Sequence, residues 1–322
     1  MHKCLSVIIS VYNEEGNIVP LYQKLRRNMV TLQKKSLIFQ YEICFVNDGS
    51  TDATEEKIRA IVKKDTHTKL ISLRQNFGKS IALQTGFQYS RGDVIITLDA
   101  DLQDDPDDIV NFINKIDEGY DLVSGWKISR HDPLEKRVMS KIFNFITAKI
   151  SGIPLHDFNC GFKAYRREVV KSLYVYGEFH RYIPLLALRN GFKIGEIPVT
   201  HHKRLSGKSK FGTERYLRGM FDALSAVFLL KFYDRPMYFF GKIGLALFAV
   251  GFIICSYLSA LWFSGQAIGH RPLLILGVLF LLIGFQSFSL GLIANLIVDN
   301  AAKPDKSVFI RQIINEEEVH DL

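Results

Sequence analysis

The stretch that decides the fold runs Ile95-Ile96-Thr97-Leu98-Asp99-Ala100-Asp101-Leu102-Gln103-Asp104-Asp105-Pro106. Val94 to Leu98 is an apolar run of strand length, and it stops abruptly at a cluster of carboxylates. If the chain stays extended past Leu98, alternation puts Asp99, Asp101 and Gln103 on one side. Two carboxylates and an amide oxygen then converge where the strand ends. Such a hard-oxygen set suits Mg²⁺ or Mn²⁺ shared with substrate phosphates. In open α/β sheets ligands bind at that edge, beyond the carboxyl ends of the strands. A plain acidic surface loop before a helix competes with this reading. It explains the second half of the stretch: Asp105 can cap, Pro106 fits the first helical position, and Asp107 and Asp108 favour the N-terminal dipole. It leaves Asp99 and Asp101 unexplained, and the residues alone keep both readings open.

Upstream, the same strand-then-polar-loop pattern recurs. Leu5 to Val11 is a β-branched run, followed by the loop Tyr12-Asn13-Glu14-Glu15-Gly16-Asn17 and an amphipathic helix from about Ile18 to Leu32. Ile43 to Val46 is a second strand, ending in Asn47-Asp48-Gly49-Ser50-Thr51-Asp52. Gly49 permits a tight turn there, and Ser50 or Asp52 can cap the helix that runs through Val62. Leu70 to Leu73 is a third strand, and a helix from Lys79 to Ser90 leads into the fourth, Asp93 to Leu98. Strands alternating with helices imply a mostly parallel α/β sheet with right-handed crossovers and one polar edge. Gly78-Lys79-Ser80 is not a P-loop, because Leu73 stands where that pattern needs glycine, and no GxGxxG follows the first strand.

The chain has 322 residues and a formal net charge of +8, enough for one sizeable α/β domain and something smaller. Cys4, Cys44, Cys160 and Cys255 form no metal-ligand spacing and read as reduced packing residues. The apolar run after Lys3 ends at Asn13-Glu14-Glu15, so no signal peptide is expected.

Downstream, a helix end at Gly119 precedes a strand from Leu122 to Ser124. A polar, basic loop from Lys127 to Pro133 and an amphipathic helix from Met139 to Ile150 come next. Asp157, before Gly161, is a second carboxylate centre. The densest basic run is His201-His202-Lys203-Arg204, then Gly207-Lys208-Ser209-Lys210. It reads either as a loop closing on a diphosphate or as a polybasic patch on anionic lipid. Adjacent histidines chelate poorly, so His201 and His202 are not expected to bind metal. Glu214 to Asp234 has the spacing of a helix lying in a membrane interface. Ile243 to Phe263 and Leu273 to Val298 are long enough to cross a bilayer, joined by the short link Ser264 to Pro272. Lys231, Arg235 and Lys242 precede the pair, Lys303, Lys306 and Arg311 follow it, and only Arg271 lies in the link. The positive-inside rule then puts the soluble part and the tail in the cytoplasm. The tail from Asp299 reads as a loosely ordered polar segment ending in Glu316-Glu317-Glu318.

Val11-Tyr12-Asn13-Glu14-Glu15, Asn47-Asp48-Gly49-Ser50 and Asp99-Ala100-Asp101-Leu102-Gln103-Asp104 together resemble the inverting GT-A glycosyltransferases of family 2. Asp157-Phe158-Asn159-Cys160-Gly161-Phe162-Lys163-Ala164-Tyr165-Arg166-Arg167 and Arg204-Leu205-Ser206-Gly207-Lys208-Ser209-Lys210 narrow the resemblance to the polyprenyl-phosphate members. These are the dolichol-phosphate mannose synthases and, with two C-terminal spans, the bacterial bactoprenol glucosyltransferases. Ser10 departs from a frequent proline, and Asn47 from the first aspartate of an Asp-Asp-Gly-Ser motif.

The resemblance implies a Rossmann-like GT-A domain over residues 1–212, interfacial helices over 213–236, two transmembrane helices within 237–300 and a cytoplasmic tail over 301–322. It implies transfer of a sugar, glucose from UDP-glucose as first choice, from a nucleotide donor to undecaprenyl phosphate at the cytoplasmic face of a bacterial inner membrane. Tyr12, Glu14 and Asp48 would hold the nucleoside; Asp99, Asp101 and Gln103 would bind Mg²⁺ or Mn²⁺ and the diphosphate. Arg204, Ser209 and Lys210 would close on the donor, and Lys127, Arg130, Arg137 and Arg166 would receive the acceptor phosphate. Asp101 and Asp157 would carry the catalytic role. A phosphate monoester with a second pKa of about 6 is already mostly dianionic at neutral pH, so Asp157 would orient more than deprotonate. The implied partners are a nucleotide sugar, a polyprenyl phosphate and the bilayer, without nucleic acid, and homo-oligomerisation stays open. Two rivals stand against this: a processive polysaccharide synthase, which needs more spans and a Gln-x-x-Arg-Trp motif, and a catalytically inert sugar-nucleotide-binding scaffold or lipid-flipping partner.

Overall fold

The computed structural model describes residues 3–128, 155–177, 179–202, 235–269, 272–300 and 310–314, with Phe228 and Phe232. The chain separates into one compact unit of residues 1–226 and 305–322 and another of residues 227–304.

The first unit is built on an eight-stranded sheet. In chain order its elements are β1 (Cys4–Val11), α1 (Ile18–Lys34), β2 (Gln40–Asn47), α2 (Thr54–Val62), β3 (Thr68–Leu73), α3 (Lys79–Tyr89) and β4 (Val94–Asp99). After these come α4 (Ile109–Asp117), β5 (Leu122–Lys127), β6 (Lys163–Arg166), α5 (Arg167–Ser172), α6 (Ile183–Arg189), β7 (Ile194–Val199) and, from the tail, β8 (Ile310–Ile314). The strand order is β7-β5-β6-β4-β1-β2-β3-β8. β1 pairs parallel with β2 and β4, β2 with β3, and β5 with β7. β6 runs antiparallel between β4 and β5. The chain winds outward from β1 through β2 to β3, then crosses back to place β4 on β1's other side. That reversal opens a crevice beyond the carboxyl ends of β1 and β4.

Alternation along the strands feeds two cores. Leu5, Val7 and Ile9 of β1 face one way, with Leu21 and Leu25 of α1, Ile58 of α2 and Ile109, Phe112 and Ile116 of α4. Ile8 faces the other way, with Leu83 and Phe87 of α3, Val169 and Val170 of α5 and Ile183 of α6. Helices thus cover both faces, as a largely parallel sheet requires. α3 packs so closely that a Cβ on Gly86 would lie 2.4 Å from Ile8 Cγ2.

The tail expectation needs correction over residues 310–314. β8 is no loose segment there: it pairs antiparallel with β3, Ile314 opposite Leu70 and Ile313 opposite Ile71. A strand on that flank closes a row of backbone donors and acceptors that would otherwise stand open.

The second unit holds α7 (Met237–Phe263) and α8 (Pro272–Asn300), both long and apolar enough to cross a membrane. They start slightly before the expected spans, at about 40 Å each for helices of this length. Glycines seven residues apart line their contact: Gly244 and Gly251 on α7, Gly277, Gly284 and Gly291 on α8. A Cβ on Gly284 would fall 2.6 Å from Phe248 N and 2.7 Å from Gly244 O, so the backbones touch. Packing of this kind joins helices where lipid removes the hydrophobic drive. Large side chains point outward, Phe252 at 60% and Ile253 at 66% exposure. The interfacial helix expected over Glu214 to Asp234 and the helix over Met139 to Ile150 fall outside the described residues, except Phe228 and Phe232.

Candidate active site

Four loops meet at the carboxyl edge of the sheet. Those after β1 and β2 are laced together. Asn13, held at φ +54°, donates its backbone N–H to Ser50 Oγ (3.0 Å) and accepts from Thr51 N on Oδ1 (2.8 Å). Glu14 N donates to Thr54 Oγ1, Glu15 N to Asp52 Oδ2 and Ala53 N to Glu15 Oε2. A left-handed non-glycine residue costs energy and persists only where its surroundings over-determine it, as here. Tyr12 stands at the rim, 37% exposed, and Glu14 accepts from Asn17 Nδ2 (2.6 Å).

Asn47 and Asp48 are both buried and do different work. Asn47 accepts from Ser50 N and donates to Glu55 Oε2 (2.8 Å), so its amide holds the loop and the start of α2 together. Asp48 accepts from Phe77 N (2.8 Å) and Gly78 N (3.0 Å), fixing the approach to α3. Burial raises the Asp48 carboxyl, and those two N–H groups oppose the rise. Gly49 cannot carry a side chain: it sits at φ +69°, and a Cβ would lie 2.4 Å from the Gln75 carbonyl carbon.

At β4 the extended-chain expectation fails. The strand ends at Asp99, the chain turns at Ala100 and Asp101, and Leu102 takes φ +60°. Burial drives the turn, because Ala100 and Leu102 insert into the core at 5% exposure each. Asp101 Oδ1 then accepts from Gln103 N (3.2 Å). Gln103 is braced to the far side: its carbonyl accepts from His202 N (2.7 Å), and its Nε2 faces the His202 carbonyl (3.4 Å). Asp104 bridges to His201, and His202 Nε2 meets Asp105 Oδ2 (2.9 Å). The two histidines thus dock the acidic stretch against the end of β7. Asp105 does cap the following turn, accepting from Asp107 N with Pro106 first in it.

Asp99 is ion-paired with Lys79, the first residue of α3. Its surroundings disfavour ionisation, but Lys79, then Lys127 and Lys163, outweigh that and hold it at about 2. Lys127, expected to receive the acceptor, lies at the site but is paired with the fully buried Asp104 carboxylate (3.0 Å). Burial works against charge on Lys127, yet nearby anionic groups, Asp104 and Asp99 among them, raise it overall. Lys163 is 2% exposed and donates to the Cys160 carbonyl; burial lowers its pKa.

The turn carrying Asp157 abuts this cluster. Asp157 is 1% exposed and accepts from Asn159 N (3.1 Å). Glu196 of β7 accepts from the backbone N–H of His156 and Asp157, and His156 stacks on Trp126 at 4.1 Å. Gly161 lets the two carboxylate centres approach, since a Cβ there would lie 2.4 Å from Asp99 Oδ2. Thr97 Oγ1 donates to the Gly161 carbonyl and secures the turn (2.8 Å).

Arg166 is a correction. It lies opposite Val94, the first residue of β4, roughly 16 Å of strand from Asp99. Its guanidinium donates to the Tyr120 and Ile116 carbonyls, bracing the α4–β5 connection instead of a substrate phosphate. Arg130, Arg137, Arg204, Ser209 and Lys210 lie outside the described residues.

The sequence reading missed Lys79, Lys163 and His180. His180 N donates to Ser80 Oγ (3.1 Å), and its Nδ1 lies 3.0 Å from the same oxygen. The imidazole tautomer sets which of Ser80 Oγ and His180 Nδ1 donates to the other. Burial, then Lys79 and Arg181, lower His180 well below 6.5. The signal for Lys79 was available: a lysine opening a helix at the carboxyl edge of β3.

Among the described residues no three His, Cys, Asp or Glu side chains converge as a metal cage. Asp99 ends β4 and Asp101 lies in the turn just after it, so both offer hard carboxylate oxygens at the carboxyl end of that strand. That donor set fits Mg²⁺ or Mn²⁺, ions commonly held by one or two carboxylates plus substrate phosphates and water.

The family model "Glycosyl transferase family 2" matches residues 6–174. The chain is similar to dodecaprenyl-phosphate galacturonate synthase of Rhizobium johnstonii, 36% identical over 321 residues, covering 97% of this chain and 94% of the relative. It is similar to undecaprenyl-phosphate 4-deoxy-4-formamido-L-arabinose transferase of Klebsiella pneumoniae, 31% identical over 319 residues, covering 98% and 95%. Its fold is similar to that of glucosyl-3-phosphoglycerate synthase from Mycobacterium tuberculosis solved with Mn²⁺, UDP and phosphoglyceric acid. That match has a TM-score of 0.52 and 19% identity, covering 70% of this chain and 78% of the other.

Proposed function

The chain belongs to glycosyl transferase family 2, and from that membership we propose that it transfers a sugar from a nucleotide donor to a polyprenyl phosphate at the membrane. The observation that carries the reading is the contact of Asp99 with Gly161, which joins the donor-side loop to the turn bearing Asp157. Tyr12, Glu14 and the loop held by Asp48 receive the nucleoside. Asp99 and Asp101 would hold the divalent cation, with Gln103 bracing their loop. The chemistry a bound cation supplies is neutralisation of charge on the departing nucleoside diphosphate. Asp157 orients the incoming phosphate, whose attack on the anomeric carbon inverts it. Lys127, with Arg130 and Arg137, serves the acceptor side, and Arg204, Ser209 and Lys210 close on the donor.

The full-length relatives move the expected sugar away from glucose. One is named for galacturonate and the other for a 4-formamido-arabinose. We place galacturonate first, because the relative named for it is the more similar of the two, at 36% against 31% identity. For orientation, the short link between the two long helices supports a hairpin whose flanks share one side of a bilayer. The basic residues on those flanks support the cytoplasmic side for them.

The test is purified full-length protein with undecaprenyl phosphate, Mg²⁺ or Mn²⁺, and UDP-galacturonate, UDP-4-deoxy-4-formamido-L-arabinose or UDP-glucose, read by mass spectrometry. A metal-dependent glycosyl-phosphoryl lipid is expected, most abundant with galacturonate. Absence of product with every donor would favour the inert scaffold, and glucose as best donor would restore the earlier expectation.

A further inference from the structure

Two lysine–aspartate pairs lie at the site, and they differ in exposure. Lys127–Asp104 is sealed, with side chains 15% and 0% exposed. Lys79–Asp99 is open to the cleft, at 32% and 31%. The backbone of Lys79 is fixed: it follows Gly78, whose φ is +91° and whose N–H is held by Asp48. Only its side chain is free to swing between the sheet edge and the space in front of it. A divalent ion arriving alone at Asp99 meets a carboxylate already neutralised by one ammonium and faced by two more. It must displace Lys79, whose charge then has no new partner. An ion arriving with a diphosphate brings that partner, since phosphate oxygens accept from the released ammonium.

We propose that Lys79 is a positioning residue that keeps the metal's place: it neutralises Asp99 in the empty site and transfers to the donor diphosphate when metal and nucleotide enter together. This rests on Asp99 being a metal ligand, as read above. The consequence is positive coupling between metal and nucleotide binding, equal in both directions. The empty carboxylate is protected from cations that carry no donor.

The experiment titrates full-length protein in detergent with Mn²⁺, alone and with UDP, following the free-ion electron paramagnetic resonance signal. Wild type is expected to bind Mn²⁺ weakly alone and far more tightly with UDP. Lys79→Gln is expected to bind Mn²⁺ alone about ten-fold more tightly, because a neighbouring positive charge is gone, and to lose most of the UDP coupling. Lys79→Arg keeps the charge and should behave as wild type. Amine-directed labelling of wild type, read at Lys79 by mass spectrometry, needs no variant. Mn²⁺ alone at high concentration should raise labelling, and Mn²⁺ with UDP should suppress it. A Lys79→Gln protein with wild-type Mn²⁺ affinity and coupling, or Lys79 labelling indifferent to both ligands, would overturn the proposal while leaving metal use intact. Wild type that binds no Mn²⁺ even with UDP would overturn both.

Discussion

At the scale of single residues, the site depends on one missing side chain. Gly161→Ala puts a methyl group where the Asp99 carboxylate lies, and misplacement by about 1 Å can cost on the order of a hundred-fold in rate. We expect turnover to fall by about that factor while the melting temperature stays near wild type; full activity would remove Gly161 from the argument. His180 supplies a pH signature. Its folded-state pKa lies well below 6.5, so the unfolded chain takes up a proton first as the pH drops. Stability should therefore decline as pH falls below about 6.5, by up to one proton's worth of slope, and His180→Gln should flatten that decline. Identical pH dependence of melting in both proteins would contradict the buried neutral imidazole. The carboxylates were legible in the sequence because their residue types stop an apolar run. Their arrangement was not, because Leu102 is drawn inward and turns the chain where alternation would keep it straight. Arg166 misled for a related reason: its neighbours in sequence reach the site, but β6 runs away from it.

At the scale of elements, periodicity carried most of the information. The strand and helix of each βα unit fell near their observed positions because β-branched runs and apolar stripes are local properties. The pair of long apolar helices was equally readable as two apolar runs, but the way they join was not, since it depends on which glycines face each other. Gly284→Leu forces a side chain into the Phe248 backbone of α7, and overpacking of this kind costs about 1–3 kcal/mol. Gly277→Ala meets the Ile254 and Cys255 side chains first, which can shift more readily. Thermal unfolding in detergent should rank wild type above Gly277→Ala and Gly277→Ala above Gly284→Leu. The reverse order would mean that the glycine seam does not hold the helices together.

At the scale of the whole molecule, the least legible feature is the tail. Ile310-Arg311-Gln312-Ile313-Ile314 is a short β-branched segment in a polar run, and nothing local tells it that β3 is its partner. Removing residues 305–322 uncovers the β3 edge. We expect a lower melting temperature, by about 2–4 °C for each kcal/mol lost in a protein of this size, and a tendency to associate edge to edge. An unchanged, monodisperse protein would show that β8 adds nothing. The pairing also sets an order of assembly. Ribosomes deliver the chain from its N-terminus, so β8 emerges after both hydrophobic helices have been made. The newborn sheet waits with one flank bare while the two long helices are made, and the final strand closes it afterwards. Completion of the sheet is thereby tied to synthesis of both long helices: a chain that stops before them cannot present the finished sheet.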